Sequence, residues 1–591
     1  MANFKGTAGD DSLVGGIDND RLIGLGGADT LRGGGGADTL DGGEGDDLLD
    51  GGAGNDLFFG GLGADAYDGG DDYDTVNYLR SAAPVAIDLS PAAGAGGTGG
   101  DALGDTFNSV ELFKLTNSAP FSAGDLFTGS DAAEKVLGFG GQDTLNGGGG
   151  EDQLFGGADR DIIDGGDAND TILAGDGVDD ASGGDGDDLI SGGASIDIVR
   201  GGDGADTLHG GTGGDGVYGE AGNDVLYGDS GDYDLLDGGD GEDKLICGDS
   251  VGTGYGGAGN DTVVGSDHVN LLQGDAGDDI LKGYGGNDEM HAAAFGAGAV
   301  GDANDRLFAG DGDDIVDIGR SHGIADGGDG TDQLWVNLTS EGGAVRYHVG
   351  DANILLDGVG VVKTVSIERA YIRSGAGADD LMGGDLRDSL FAGDGNDTLY
   401  GGAGDDMLLV EGGDNFADGG FGDDEVDGLS GADELNGNEG NDDVEGGGGA
   451  DTVYGGTGND LVLGQDGVDL VYGNEDNDTL YGGEGDDSLY AGTGADELTG
   501  GGGADRFLFL ADWSTRTARD VITDLDDTTD KVDLSLFSGG HGVLVTYNQN
   551  GDTVVRVDLN DNSIYSDDTD FVLTVKGLHF HTPNTDDWLV T

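Results

Sequence analysis

Very little in this chain could cross-link it or stiffen it. Cys247 is the only cysteine in 591 residues, so no disulfide can close within the chain. Of the four prolines, Pro84, Pro91 and Pro120 fall in a single stretch. Basic residues are scarce, 23 against 121 acidic ones, and the formal charge is −98. A chain this acidic repels nucleic acid and anionic membranes, which excludes both as partners. No apolar run approaches the roughly 20 residues of a transmembrane helix. The opening Met1-Ala2-Asn3-Phe4-Lys5 lacks the apolar run of a cleaved leader. Catalytic signatures are missing as well. None of the eight histidines stands in a His-Glu-x-x-His spacing, and no Gly-x-Ser-x-Gly elbow appears with an α/β pattern around it. His579 and His581 flank Phe580 and read as a surface pair near the terminus rather than a transition-metal site. Cys247 stands at a glycine-like position and reads as a packing residue. The expectation is a protein that is not an enzyme.

What fills the chain is glycine, 132 residues of it, in fixed order with aspartate. An aspartate returns every nine residues at Asp11, Asp20, Asp29, Asp38, Asp47, Asp56, Asp65 and Asp74. The frame is Gly-Gly-x-Gly-x-Asp-x-apolar-x, as in Gly42-Gly43-Glu44-Gly45-Asp46-Asp47-Leu48-Leu49-Asp50. It resumes at Asp143, Asp152, Asp161, Asp170, Asp179, Asp188, Asp197, Asp206, Asp215 and Asp224. After a one-residue slip it continues at Asp234, Asp243, Asp261, Asp279 and Asp288, with the position at Gly252 empty. Glu134 takes the aspartate's place at the start of that block. A ragged stretch carries Asp305, Asp314 and Asp332. The last block holds Asp379, Asp388, Asp397, Asp406, Asp424, Asp433, Asp442, Asp451, Asp460, Asp469, Asp478, Asp487, Asp496 and Asp505, with Asn415 in one place.

A period of nine fits neither a helix face nor a simple alternating strand. It fits a solenoid in which each repeat gives one tight turn and one short strand of three residues. Glycines permit the positive backbone angles of the turn. The apolar residue two places after each aspartate (Leu13, Leu22, Leu31, Leu40, Leu49, Phe58, Tyr67, Val76) points inward, and its neighbours point outward. Two repeats complete a turn, so residues 18 apart stack and loops alternate between two edges. Stacked loops then present rows of carboxylate and carbonyl oxygens. Such rows suit calcium, with six to eight oxygen ligands in flexible geometry, better than magnesium; the all-oxygen set argues against zinc or copper. With two same-edge loops sharing an ion, roughly 30 calcium ions are expected. The metal-free chain, rich in glycine and charge, is not expected to collapse unaided, so folding and metal binding should be one event.

The sequence resembles the haemolysin-type calcium-binding nonapeptide family, the RTX repeats, whose fold is a parallel β-roll. The resemblance implies an all-β solenoid in several blocks: repeats over 1–77, a β-rich spacer over 78–128, repeats over 129–291, degenerate repeats and a second spacer over 292–378, and repeats over 379–508. Asp520-Val521-Ile522-Thr523-Asp524-Leu525 and Asp530-Lys531-Val532-Asp533-Leu534-Ser535 resemble the cap that ends serralysin-type proteases. A C-terminal β cap and type I secretion signal are therefore expected over 509–591. Family likeness further implies export from a Gram-negative cell to its surface or beyond, through a type I apparatus. Tyr218, Tyr227, Tyr400, Tyr454, Tyr472, Tyr481 and Tyr490 recur at the last repeat position, and an outward column of them suits a glycan, a neighbouring subunit or simply an exposed strand. The leading expectation is a secreted calcium-binding structural protein of a surface layer, matrix or adhesive coat. An effector or adhesin acting on host cells is the alternative, and an enzyme with its site hidden in the spacers is a further one.

Overall fold

A computed structural model describes residues 1–90, 96–117, 123–231, 233–293, 304–509, 519–526, 528–534, 543–547, 552–557, 571–576 and 589–590. Each nine-residue repeat forms half a coil. The strand Arg21–Gly26 pairs in parallel with Thr39–Glu44, and that strand pairs with Leu57–Leu62, in the register Leu22↔Leu40↔Phe58. The alternate half-coils Thr30–Gly35, Leu48–Ala53 and Ala66–Asp71 make a second parallel sheet, in the register Leu31↔Leu49↔Tyr67. The offset is two repeats, as the spacing predicts. The expected all-β parallel roll is the observed architecture.

The pleat explains the hydrophobic pattern. Leu22, Leu31, Leu40, Leu49 and Phe58 have no exposed surface, while the residues on either side face outward. Burying each such side chain is worth about 1.5–3 kcal/mol, so the interior column supplies most of the apolar stabilisation. The strands are longer than the three residues expected, six in Leu48–Ala53 for example. Pairing bends at the first glycine of the frame and resumes at the second. That resumption needs a left-handed residue: Gly43 has φ +112°, and a Cβ there would stand 2.4 Å from the Leu25 carbonyl oxygen. A few larger residues occupy this second position in the same conformation, among them Phe139 (φ 72°) and Tyr284 (φ 77°).

The backbone divides into two units, Met1–Ala299 with Ala303–Asp311, and Val300–Asp302 with Gly312–Thr591. Within the first, the spacer is woven into the roll. Thr106–Asn108 pairs with Ala66–Asp71, and Leu112–Lys114 lies between Thr75–Asn77 and Lys135–Gly140. Phe58, Tyr67, Phe107, Phe113 and Phe127 form a continuous aromatic run there, with neighbouring ring centroids 5.1–6.0 Å apart. The second unit treats its spacer alike: Gln333–Asn337 pairs with Arg369–Arg373, and an antiparallel pair, Asn353–Leu356 with Val359–Val365, is added. Its last coils pass into a different region. Arg506–Leu508 pairs with Lys531–Asp533, and Val543–Tyr547, Thr553–Val557 and Phe571–Val575 close the end as an antiparallel sheet. His579 and His581 lie outside the described residues. Among the described residues no helix is long and apolar enough to cross a membrane.

Candidate functional site

Every sixth-position aspartate of the frame from Asp20 onward is buried, at 0–6 % exposure; Asp11, in the first loop, is half-buried. So much buried carboxylate requires partners. One oxygen of each finds its partner in the main chain. Asp47 Oδ1 accepts the N–H of Asp29 at 2.8 Å, Asp56 Oδ1 that of Asp38 at 2.7 Å, and Asp469 Oδ1 that of Asp451 at 2.9 Å. Each carboxylate thus reaches back one full coil and holds the preceding loop.

The other oxygen has no hydrogen-bond donor. Oδ2 of Asp29, Asp47, Asp56, Asp161, Asp206, Asp451, Asp460, Asp469 and many of their equivalents is buried without one. It faces the space left by the first glycine of its own loop. A Cβ on Gly42 would stand 2.3 Å from Asp47 Oδ2 and 2.9 Å from the carbonyl oxygen of Gly60, in the next coil. Gly51 sees Asp56 Oδ2 and the Gly69 carbonyl in the same way, at 2.3 and 2.8 Å. Acceptors therefore converge on acceptors, an arrangement that demands a proton or a cation.

An asparagine in the ladder, Asn415, shows what this second oxygen faces. Asn415 accepts the N–H of Asp397 with Oδ1, as an aspartate would, and its Nδ2 donates to the Gly413 carbonyl at 3.3 Å. Asn270 is turned the other way: its Oδ1 lies beside Gly265, and its Nδ2 donates to the Ser250 carbonyl of the preceding coil at 3.3 Å. An amide satisfies itself among carbonyls where a carboxylate cannot. The donor set is oxygen throughout, and among the described residues no three His, Cys, Asp or Glu side chains cluster as a side-chain metal site would require. Carboxylates combined with main-chain carbonyls are the ligands of calcium, so the residues present fit that ion.

Not every predicted ligand shares this arrangement. In four loops Asp18, Ala132, His268 or Leu386 replaces the fourth-position glycine, and none of them is left-handed. The second residue's N–H turns inward instead. Gly16 donates to Asp20 Oδ2 at 2.9 Å, Ser130 to Glu134 at 3.4 Å, Ser266 to Asn270 at 2.6 Å and Gly384 to Asp388 Oδ2 at 2.6 Å. Thr7 does the same for Asp11 at 2.6 Å. Where Asp159, Ala168, Ser195 or Asp476 takes the left-handed conformation at the fourth position, the loop stays open and the carboxylate keeps its donor-free oxygen. Asp20 and Asp388 therefore have protein donors on both oxygens, whereas Asp11 takes the Thr7 N–H and hydroxyl on Oδ2.

The structure adds ladder members that the glycine frame hides. Asp105 accepts the Asp65 N–H at 2.8 Å and the Tyr78 hydroxyl at 2.5 Å; Asp125 accepts N–H groups of Val85 and Thr116, each at 2.7 Å. Glu111 and Glu368 accept the N–H of Asp74 and Asp332, at 2.8 and 2.9 Å. Asp520 and Asp530 accept those of Asp496 and Asp505, at 3.2 and 3.0 Å. The legible signal was half of the frame, Asp-x-apolar-x, as in Asp105-Thr106-Phe107 and Asp125-Leu126-Phe127, without its glycines.

Cys247 sits where the ladder lapses. A Cβ on Gly252, the empty aspartate position, would stand 2.7 Å from Cys247 Cβ, so the thiol side chain fills that space. Burial pushes its pKa up to about 12, which leaves it a poor nucleophile. Gly248-Asp249-Ser250-Val251-Gly252 has the letters of a nucleophile elbow, but it links the strands Lys244–Ile246 and Gly252–Ala258, with no helix after it. The Ser250 hydroxyl faces its neighbour's carbonyl, Val251, at 3.5 Å.

The sequence model of the RTX calcium-binding nonapeptide repeat matches 5–40, 41–76, 137–172, 164–199, 173–208, 182–217, 200–235, 264–295, 299–322, 373–408, 411–444, 436–471, 445–480 and 472–507, which together exceed half of the chain. Among solved structures, the extracellular lipase LipA from Serratia marcescens is similar at 17 % identity, over 56 % of this chain and 40 % of that one, with a TM-score of 0.12. This chain thus spans less than half of that lipase. No curated protein sequence matches it.

Burial, with neighbouring carboxylates adding to it, raises the pKa of several ladder aspartates in the metal-free fold: Asp47 to about 6, Asp56 to about 7, Asp161 and Asp478 to about 8. Because these values lie above the unfolded carboxylate range, the folded state binds the extra protons. Stability from this source is full below about pH 4 and is lost as pH rises through 6–8. Calcium-free protein should therefore show more β-structure by circular dichroism at pH 5 than at pH 8. Equal spectra would count against a ladder held apart by its own charge. A second test separates geometry from bulk charge. Replacing Asp451, Asp460 and Asp469 with alanine should raise the calcium midpoint of folding roughly threefold or more. The same change at Asp41, Asp50 and Asp68, outside the sixth position, should move it much less.

Proposed function

This chain belongs to the RTX calcium-binding nonapeptide repeat family, and on that premise we propose that it is a secreted structural protein whose roll assembles with its own kind at a cell surface or in a matrix. Calcium binding belongs to the repeats. The ion neutralises the donor-free oxygens, and the Asp residues of successive coils, with first-glycine carbonyls such as that of Gly60, would hold it. At roughly 30 ions, about +60 of charge would offset most of the −98. Millimolar calcium outside the cell would fill weak sites that cytosolic calcium would leave empty.

The observation that carries the structural reading is the regularity of the outer face. Tyr454, Tyr472 and Tyr490 lie opposite one another in register and stack with centroids 4.7 and 4.2 Å apart and ring planes within 18°. A ladder with this repeat can meet an identical ladder, and many weak contacts then add through avidity. We expect calcium-dependent assembly, weakened when these three tyrosines become serine. Size-exclusion chromatography with light scattering at millimolar calcium tests it; a strict monomer at high concentration would defeat it.

Export would be directed by the C-terminal region, where the glycine frame stops after Asp505. Deleting residues 530–591 should retain the protein in cells that carry a type I exporter. Normal secretion of the shortened chain would refute this assignment.

A further inference from the structure

One groove on the first unit stands against the charge of the whole molecule. It has a volume of about 430 Å³ and is lined by Ile280, Lys282, Tyr284, Arg306 and Phe308 of two paired strands, Ile280–Gly285 and Asn304–Asp311. The register sets Ile280 beside Arg306 and Lys282 beside Phe308. Two of only 23 basic side chains therefore line one strand pair, each opposite an apolar group. The Arg306 guanidinium lies 5.5 Å from the centre of the Phe308 ring, which holds its charge along the groove.

Tyr284 is the second feature. It stands at the second position of the frame, where glycine is the rule, and pays for it with a φ of 77°. A large side chain kept in a left-handed conformation, yet 56 % exposed, contributes nothing to the core. Leu25, Phe139, Leu429 and others take the same conformation at this position, and what sets Tyr284 apart is an exposed ring that lines a groove with two cations. The groove in the second unit, of about 530 Å³, makes the contrast: Tyr400 and Phe421 line it together with Asp418, Glu439 and Glu475. Both grooves offer aromatic surface, and only the first offers cations.

We propose that the Lys282–Tyr284–Arg306–Phe308 groove binds an acidic glycan, with the aromatic faces of Tyr284 and Phe308 against sugar rings and Lys282 and Arg306 on a uronic carboxylate. The volume suits a few sugar units, and a guanidinium pairs with a carboxylate through two parallel hydrogen bonds. The aromatic pair favours a ring-bearing anion over an acidic peptide. Net negative charge opposes the approach of such a ligand, so calcium loading should favour binding, and at physiological salt the repulsion is screened within about 8 Å.

The test uses the full calcium-loaded chain and a hyaluronan hexasaccharide, titrated by calorimetry beside the neutral N-acetylglucosamine hexamer and hexaglutamate. We expect the acidic hexasaccharide to bind at least tenfold more tightly than either control. Lys282→Gln with Arg306→Gln should weaken it at least tenfold. Tyr284→Gly, which restores the glycine of the frame, should weaken it equally while the calcium midpoint of folding stays level or improves; a merely structural tyrosine would move folding and spare binding. Tyr400→Ser in the acidic groove should change nothing. Absence of hexasaccharide binding at millimolar concentration, equal binding of hexaglutamate, or full binding by folded Tyr284→Gly protein would each overturn the proposal. So would variants that lose self-association and show no glycan effect, an outcome that would instead assign the groove to a second copy of the chain.

Discussion

Everything in this molecule depends on burying a row of carboxylates that the protein itself only half satisfies. The main chain supplies one donor per aspartate, from the coil before, and that bond sets the 18-residue register. For most of the ladder no donor reaches the second oxygen. Leaving a buried charge in that state is costly, and the cost recurs at every half-coil. Calcium removes it with the coordination that carboxylates and carbonyls provide. Glycine at the first position leaves the space beside that oxygen free in most loops, and where Ala174, Ala392 or Ala491 stands there Asp179, Asp397 and Asp496 still keep a donor-free Oδ2.

The chain also shows how such a row can be run without metal. In the first spacer Asp105 is satisfied by Tyr78, and Asp125 by Thr116, so the roll passes through an insertion with protein groups doing the ion's work. In the loops of Asp20 and Asp388 the backbone itself turns inward. The two solutions follow the conformation of the fourth residue: the loop is open where Asp159 or Asp476 is left-handed and closed where Asp18 or Leu386 is not.

The fold was legible because its period is strict. The eighth-position column, the stacking of residues 18 apart and the outward tyrosine column all follow from counting in nines, and Leu22↔Leu40 and Tyr454↔Tyr472 lie opposite one another as that count requires. Counting fails where the glycines stop. Glu111 and Glu368 hold the N–H groups of Asp74 and Asp332 across 37 and 36 residues, and no unbroken glycine frame runs between the partners to count through. The closed loops were hidden for another reason: Asp20 and Asp388 keep the frame's aspartate, and only the conformation of the fourth residue distinguishes them.

Because every ladder carboxylate reaches toward the N-terminal side, the rungs share one direction, and a directed ladder has unlike ends. In the first loop Asp11 folds back onto Thr7 of its own loop. At the other end stand main-chain donors with no later coil to cap them, and Asp520 and Asp530, from outside the repeats, take the N–H groups of Asp496 and Asp505. The roll is polar in the way a filament is polar. Within the repeats each successive coil brings its acceptor to the main-chain donor of the coil before it.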